Sequence, residues 1–231
     1  MVDIVYEDNH ILVVIKPQNV PTQEDESKDK DMITLLKEYL KEKYNKEGNV
    51  YVGLVHRLDR PTGGLMVFAK TSKAASRLSE SIRLGEVEKN YLACVKGVPK
   101  DRRATLINYL KKDTKNNVVT IAPQSEEGAK RAELNYTFLE QVEQISLLSV
   151  SLQTGRSHQI RVQLAYIKNP ILGDVKYKGQ LAQNMNLALW AYELKFTHPV
   201  TKKTMTFISF PPLEELPWKY FNIEKYIGIK A

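Results

Sequence analysis

The stretch Gly53-Leu54-Val55-His56-Arg57-Leu58-Asp59-Arg60-Pro61-Thr62-Gly63-Gly64-Leu65 constrains the fold of this chain more than any other. A carboxylate, two arginines, a histidine and a glycine pair are crowded into one turn between apolar runs. Residues 50–55 read as a strand entering that turn, and residues 65–69 as a strand leaving it. Taken alone, Asp59 could be an ordinary turn residue that caps backbone amides. A purely structural turn, however, has no need of so many charges. The glycines let another chain or a substrate come close to the backbone. Asp59 is therefore a candidate nucleophile, and the residues around it are candidates for positioning a substrate.

Around this centre the chain alternates many strands with a few helices. Residues 2–6 and 11–15 read as strands joined by a hairpin turn, and residues 18–30 as a polar, mobile surface loop. Asp31 is the expected N-cap of a helix whose apolar positions, Met32, Leu35, Leu36, Tyr39 and Leu40, recur through Tyr44, with Gly48 closing it. Ser72 is the expected cap of a basic amphipathic helix carrying Ala75, Leu78 and Ile82, stopped by Gly85. Residues 89–96 read as a strand bearing Tyr91 and Cys94, while the basic stretch 102–117 takes no assignment. Further strands are expected at 118–122, 132–142, 146–153, 189–196 and 204–210. A helix capped by Ser157 and running to about Ile167, and a short amphipathic helix over 218–226, complete the pattern. This is the signature of an α+β fold with a mostly antiparallel sheet.

The 231 residues can form one large domain or two lobes, and no linker marks a boundary. No apolar run approaches the ~20 residues of a membrane span, and the first residues do not read as a signal peptide. The single cysteine, Cys94, rules out an internal disulfide and fits a reducing compartment, so the cytoplasm is expected. Between Lys70 and Lys115 stand 12 Lys/Arg against 5 Asp/Glu, which accounts for the whole net charge of +7. Such a block is either a footprint for phosphates or a lysine-rich solvated face.

Several chemistries find no support. The four histidines, His10, His56, His158 and His198, show no metal-ligand spacing, so no metal site is expected. Cys94, between apolar neighbours, reads as a core thiol. No phosphate-binding loop, dinucleotide fingerprint or Gly-x-Ser-x-Gly elbow is present, and no cofactor is expected. Carboxylate, arginine and tyrosine chemistry remains. Arg156 and Arg161 are either surface arginines or include one that pairs with a carboxylate in a cleft, where a permanent cation favours the ionised acid. Spacing does not say which carboxylate Arg161 meets.

Four stretches resemble the RluA family of RNA pseudouridine synthases. They are Tyr6-Glu7-Asp8 through Lys16-Pro17, His56-Arg57-Leu58-Asp59 through Ala69-Lys70-Thr71, Lys89-Asn90-Tyr91, and Gly155-Arg156-Ser157-His158-Gln159-Ile160-Arg161 with Pro170-Ile171-Leu172-Gly173-Asp174. Phe196-Thr197-His198-Pro199 also fits, and Gly63 departs from the serine usual in the family. The resemblance implies a mixed, mostly antiparallel central sheet with flanking helices and a central catalytic cleft. It also implies an isomerase that detaches uracil from C1′ of a uridine in RNA, turns it over and rejoins it through C5, with no metal or cofactor. On the same ground Asp59 is the catalytic aspartate, Arg161 the arginine that pairs with it, and Tyr91 the tyrosine packed against the target base. Arg57 then resembles the arginine that fills the space of the flipped base. His56, Thr62, Arg156, Lys73, Arg77 and Arg83 are further candidate RNA contacts. The expected partner is ribosomal or transfer RNA, bound by a monomer whose single catalytic domain lacks a separate S4 domain. The alternative is an inactive RNA-binding protein of the same fold.

Overall fold

The computed structural model describes residues 2–178 and 185–227. In chain order the elements are β1 (Asp3–Glu7), β2 (Ile11–Lys16), α1 (Met32–Tyr44), β3 (Gly53–Leu54), β4 (Gly63–Ala69), α2 (Ser72–Arg83), β5 (Glu88–Lys96), β6 (Arg103–Asp113), β7 (Val118–Ala122), β8 (Lys130–Val142), β9 (Ile145–Leu152), α3 (Gln159–Tyr166), β10 (Leu189–Thr197) and β11 (Thr204–Ile208). A 3-10 turn, Trp218–Tyr220, and the four-residue α4, Glu224–Ile227, follow. The fold is α+β, its strands far outnumbering its helices. Among the described residues, no helix is long and apolar enough to cross a membrane.

Two compact units divide the chain, one of residues 1–88 and 191–209, the other of residues 89–190 and 210–231. In the first unit β2 pairs antiparallel with β1 on one side and β4 on the other, while β3 adds a short pairing to β4. All seven residues of β4 are buried. That is why its sequence reads as an unbroken apolar run instead of an alternation. The core gathers Ile11 and Val13 of β2, Leu65, Val67 and Ala69 of β4, Ala74 and Leu78 of α2, and Leu194 and Phe196. In the second unit β5, β9, β8, β6 and β7 pair in that order, every pair antiparallel. Cys94 lies fully buried on β5, where burial pushes its thiol well above the ordinary range and keeps it protonated.

Local expectations fail where tertiary pairing decides. The strand expected over 50–55 shrinks to β3, because only Gly53 and Leu54 find partners, Ala69 and Phe68. Asp31 does cap α1, its side chain accepting from the Thr34 amide at 2.7 Å, but left-handed Asn45 ends the helix, ahead of Gly48. The cap of α2 is Thr71, one residue before Ser72, its hydroxyl accepting from the Ala74 amide. Residues 102–117 are mostly strand, fixed by pairing to β7 and β8 on either side. The helix expected over 218–226 is broken into two short turns.

Candidate active site

In the first unit, residues 55–62 link β3 to β4, and buried groups beneath them set their course. The Thr62 amide donates to the Asp59 carbonyl at 2.9 Å, closing the turn, and Thr22 donates its hydroxyl to the Leu58 carbonyl at 2.8 Å. Lys16, at the end of β2, is wholly buried. Its ammonium donates to the carbonyls of Pro17, Val20 and Arg60 at 2.8, 2.7 and 3.0 Å. Three acceptors for three N–H bonds complement an ammonium better than an amine. Burial nevertheless pushes its pKa down to about 7, with Asp59 drawing it up and Arg60 pushing it further down. Lys16 thus lies within electrostatic reach of Asp59, which is itself half-buried.

The neighbours of Asp59 differ in what they can offer a substrate. Arg57 is exposed, with the Gln23 side-chain oxygen 3.5 Å from its guanidinium. Arg60 is engaged by Asp25, Ser27 and Asp29 of the 18–30 loop. His56 accepts the Val67 amide on Nε2 at 3.1 Å, so that nitrogen is unprotonated and anchors the turn to β4. Thr62 is buried, 2% exposed, which suits a turn anchor better than an RNA contact. Gly64 has a φ of 117°, and a Cβ there would lie 2.3 Å from the Ala191 carbonyl oxygen. The close approach expected at this glycine is therefore made by the protein's own strand β10, a correction to the reading that it admits RNA.

In the second unit Tyr91 sits on β5, opposite Val150 of β9, and is 5% exposed. Arg161, on α3, meets a carboxylate that sequence spacing did not name. Its Nε and Nη2 donate to the two oxygens of Asp174 at 2.8 and 2.9 Å, with both side chains buried. Its guanidinium also lies 5.2 Å from the centre of the Tyr177 ring. The Tyr177 hydroxyl accepts the Val119 amide and contacts His158 Nδ1, both at 2.9 Å. Asp174 further accepts the amides of Lys176 and Tyr177. A bidentate pair stacked on a tied-down ring leaves the guanidinium little rotational freedom.

The Gly155–Gln159 motif gets its shape from inside the helix. Ser157 does not cap α3; His158 takes that place in left-handed geometry, with no side-chain cap bond. Gln159 instead accepts from the Arg156 amide and the Thr154 hydroxyl, and donates to the Glu133 carbonyl. Arg156 is exposed, its Nε donating to the Arg131 carbonyl at 3.0 Å.

Residues 10–166 match the family model described as RNA pseudouridylate synthase. The chain belongs to the RNA pseudouridylate synthase family. "Ribosomal large subunit pseudouridine synthase D" of Vibrio cholerae is 33% identical over 221 residues, covering 89% of this chain and 66% of that protein. "Ribosomal large subunit pseudouridine synthase C" of Buchnera aphidicola is 33% identical over 213 residues, covering 87% and 64%. This chain therefore spans just under two thirds of the length of those relatives. Two solved human structures share the fold. "RNA Pseudouridylate Synthase Domain Containing 4" aligns with a TM-score of 0.77 at 22% identity, covering 91% of this chain and 88% of its own. "Domain Containing 1" aligns with a TM-score of 0.73 at 23%, covering 92% and 84%. The RluA-type resemblance is upheld, and Asp59, Tyr91 and Arg161 all fall within the matched span of the pseudouridylate synthase family.

The basic block is less uniform than its sequence. Lys70 is spent on Glu7 at 2.7 Å and on the Asp8 carbonyl. Arg77 donates to the Pro199 carbonyl at 2.8 Å, and Arg83 pairs with Glu80 on the same helix. Lys73, on the first turn of α2, is exposed. Of the candidate contacts on α2, Lys73 is the one whose charge no described residue engages. Lys16 and Asp174 stand inside the motifs that resemble the family, but the sequence alone assigns neither of them a role. A lysine ending the buried run of β2 was the signal for the first; for Asp174 no local signal exists, because its partner lies 13 residues upstream on a helix.

Proposed function

We propose that this protein isomerises specific uridines of structured RNA to pseudouridine. The observation that carries the reading is the family match over residues 10–166, which embraces Asp59, Tyr91 and Arg161 together. The relatives named for the ribosomal large subunit favour ribosomal RNA as the substrate, with transfer RNA the other candidate. The expected setting is a cytoplasmic monomer.

The target uridine leaves its stack at a cost of a few kcal/mol, offset by phosphate contacts and by Arg57 in the vacated space. The Asp59 carboxylate then acts at the sugar, either by attack on C1′ or in an elimination across C1′–C2′, and the C1′–N1 bond breaks. The detached uracil turns over and C5 bonds to C1′, which breaks the Asp59–C1′ ester in the attack route or returns the proton to C2′ in the elimination route. C5 then gives up its hydrogen as a proton and N1 takes one up, so the reaction is an isomerisation overall. By the family resemblance Arg161, held by Asp174, is the family's active-site arginine, and Tyr91 is the tyrosine that packs against the base and moves a proton at the sugar or C5. Because C5 gives up its hydrogen, [5-³H]uridine-labelled RNA should release tritium with wild-type protein. Asp59→Ala should reduce release to background. Equal release from both would remove Asp59 from the chemistry, whereas RNA binding without release from the wild type would favour the inactive RNA-binding alternative.

A further inference from the structure

Among the described residues, the buried or half-buried lysines and arginines come with compensation, with one exception. Lys16 has three carbonyls, Lys70 has Glu7, and Arg161 has Asp174. Lys89 is half-covered, yet no carboxylate or carbonyl among the described residues pairs with it. Its pKa is lowered, and burial alone lowers it. The adjacent acid, Glu88, is taken by Lys195 at 2.7 Å. A cation withdrawn from water without a counter-charge is costly to keep, and its natural complement is an anion that arrives from outside.

The position of Lys89 says what kind of anion. Side chains alternate across a strand, so Lys89, Tyr91, Ala93 and Val95 share one face of β5. The last three are buried, leaving Lys89 at the open end of that face, two residues from Tyr91. Its Nζ lies 3.7 Å from where a Cβ on Gly155 would stand, in the loop that also carries exposed Arg156. With glycine there, no side chain narrows the space beside the ammonium. We propose that Lys89 binds a phosphodiester of the substrate RNA next to the nucleotide that Tyr91 receives, and so acts as a positioning residue. The identity of the anion as a phosphodiester rests on the function proposed above.

The test measures binding to an unmodified transcript of large-subunit ribosomal RNA across a range of salt concentrations. Loss of one phosphate contact should make the slope of log affinity against log salt shallower by about 0.7–0.9 in Lys89→Gln, with Lys89→Arg restoring it. In wild-type protein labelled with ¹³C at lysine Cε, the Lys89 pKa should rise when the transcript is added, a readout that needs no variant to fold. An unchanged slope in Lys89→Gln together with an unmoved Lys89 titration would overturn the proposal. Tritium release by the wild type tests the reaction separately. Release with an unchanged slope and titration rejects only the role of Lys89; no release with a shallower slope rejects the reaction and keeps the phosphate contact.

Discussion

Truncating Asp174 would leave the Arg161 guanidinium in its buried place without the carboxylate that now meets it through two bonds. The pair as a whole need not add stability, because desolvation of two charges offsets their attraction; breaking it exposes the full penalty. Asp174→Ala should therefore destabilise the protein by about 3–5 kcal/mol, read as a lowered urea midpoint. Lys73→Ala, which alters an exposed charge, should stay within about 0.5 kcal/mol. Arg161→Ala added to Asp174→Ala should cost far less than the sum of the two single changes, since it removes the stranded partner. Additive costs, or an Asp174→Ala change below about 1 kcal/mol, would show that the two side chains do not depend on each other. Two bonds to Asp174 and the Tyr177 ring together hold the guanidinium in one orientation.

Elements were legible where one local interaction defines them, and illegible where a distant strand does. Asp31 was readable as the cap of α1 because an aspartate preceding a helical apolar period satisfies an amide three residues on. At α2 the reading fell one residue late, since Thr71 and Ser72 are equally able caps and only the observed backbone separates them. The strand over 50–55 was overread because β-propensity says nothing of where pairing stops, and here β4 offers partners to two residues only. Asp59 stands out in its charged turn, and Tyr91 and Arg161 through the family resemblance, whereas the bonds made by Lys16, Asp174 and Tyr177 are tertiary contacts that sequence does not display. Gly64 belongs with those contacts. An alanine there would meet the Ala191 backbone at 2.3 Å and would have to hold a φ of 117°. Overpacking against backbone and the positive φ together should cost about 3 kcal/mol or more in Gly64→Ala. Gly85, at a φ of 76° after α2, has open space around it, so Gly85→Ala should cost only about 1 kcal/mol. Thermal unfolding of the two variants side by side measures the difference, and equal losses would mean that β10 gives way at Ala191.

At the scale of the molecule, the net charge of +7 is a poor guide to which cations serve a ligand, because the fold spends several of them internally. Glu7 is where that spending is heaviest. It sits on β1 with a side chain 7% exposed, and it accepts from Tyr39, Lys43 and Tyr44 of the α1 segment and from Lys70 beyond β4. One carboxylate thus ties a helix to two strands of the first unit. Burial acts to raise its pKa, but the bonds from Lys43, Lys70, Tyr44 and Tyr39 overcome it and hold the group at about 2, against an ordinary 4.5. The sign of the pH dependence follows. Above about pH 4.5 the carboxylate is ionised in both folded and unfolded chains, and its contribution to stability is complete. As the pH falls below 4.5 the unfolded chain takes up its proton first, so stability declines, until the folded protein is protonated as well near pH 2. Glu7→Gln should therefore be less stable than wild type at pH 7, and the gap should narrow steadily between pH 4.5 and 2. Urea midpoints measured across that range test this, and a gap that stayed constant down to pH 2 would place the stabilisation in packing instead of charge. Because Lys70 follows the Asp59-bearing turn by one strand, the same acid transition should loosen the scaffold beneath the proposed catalytic carboxylate.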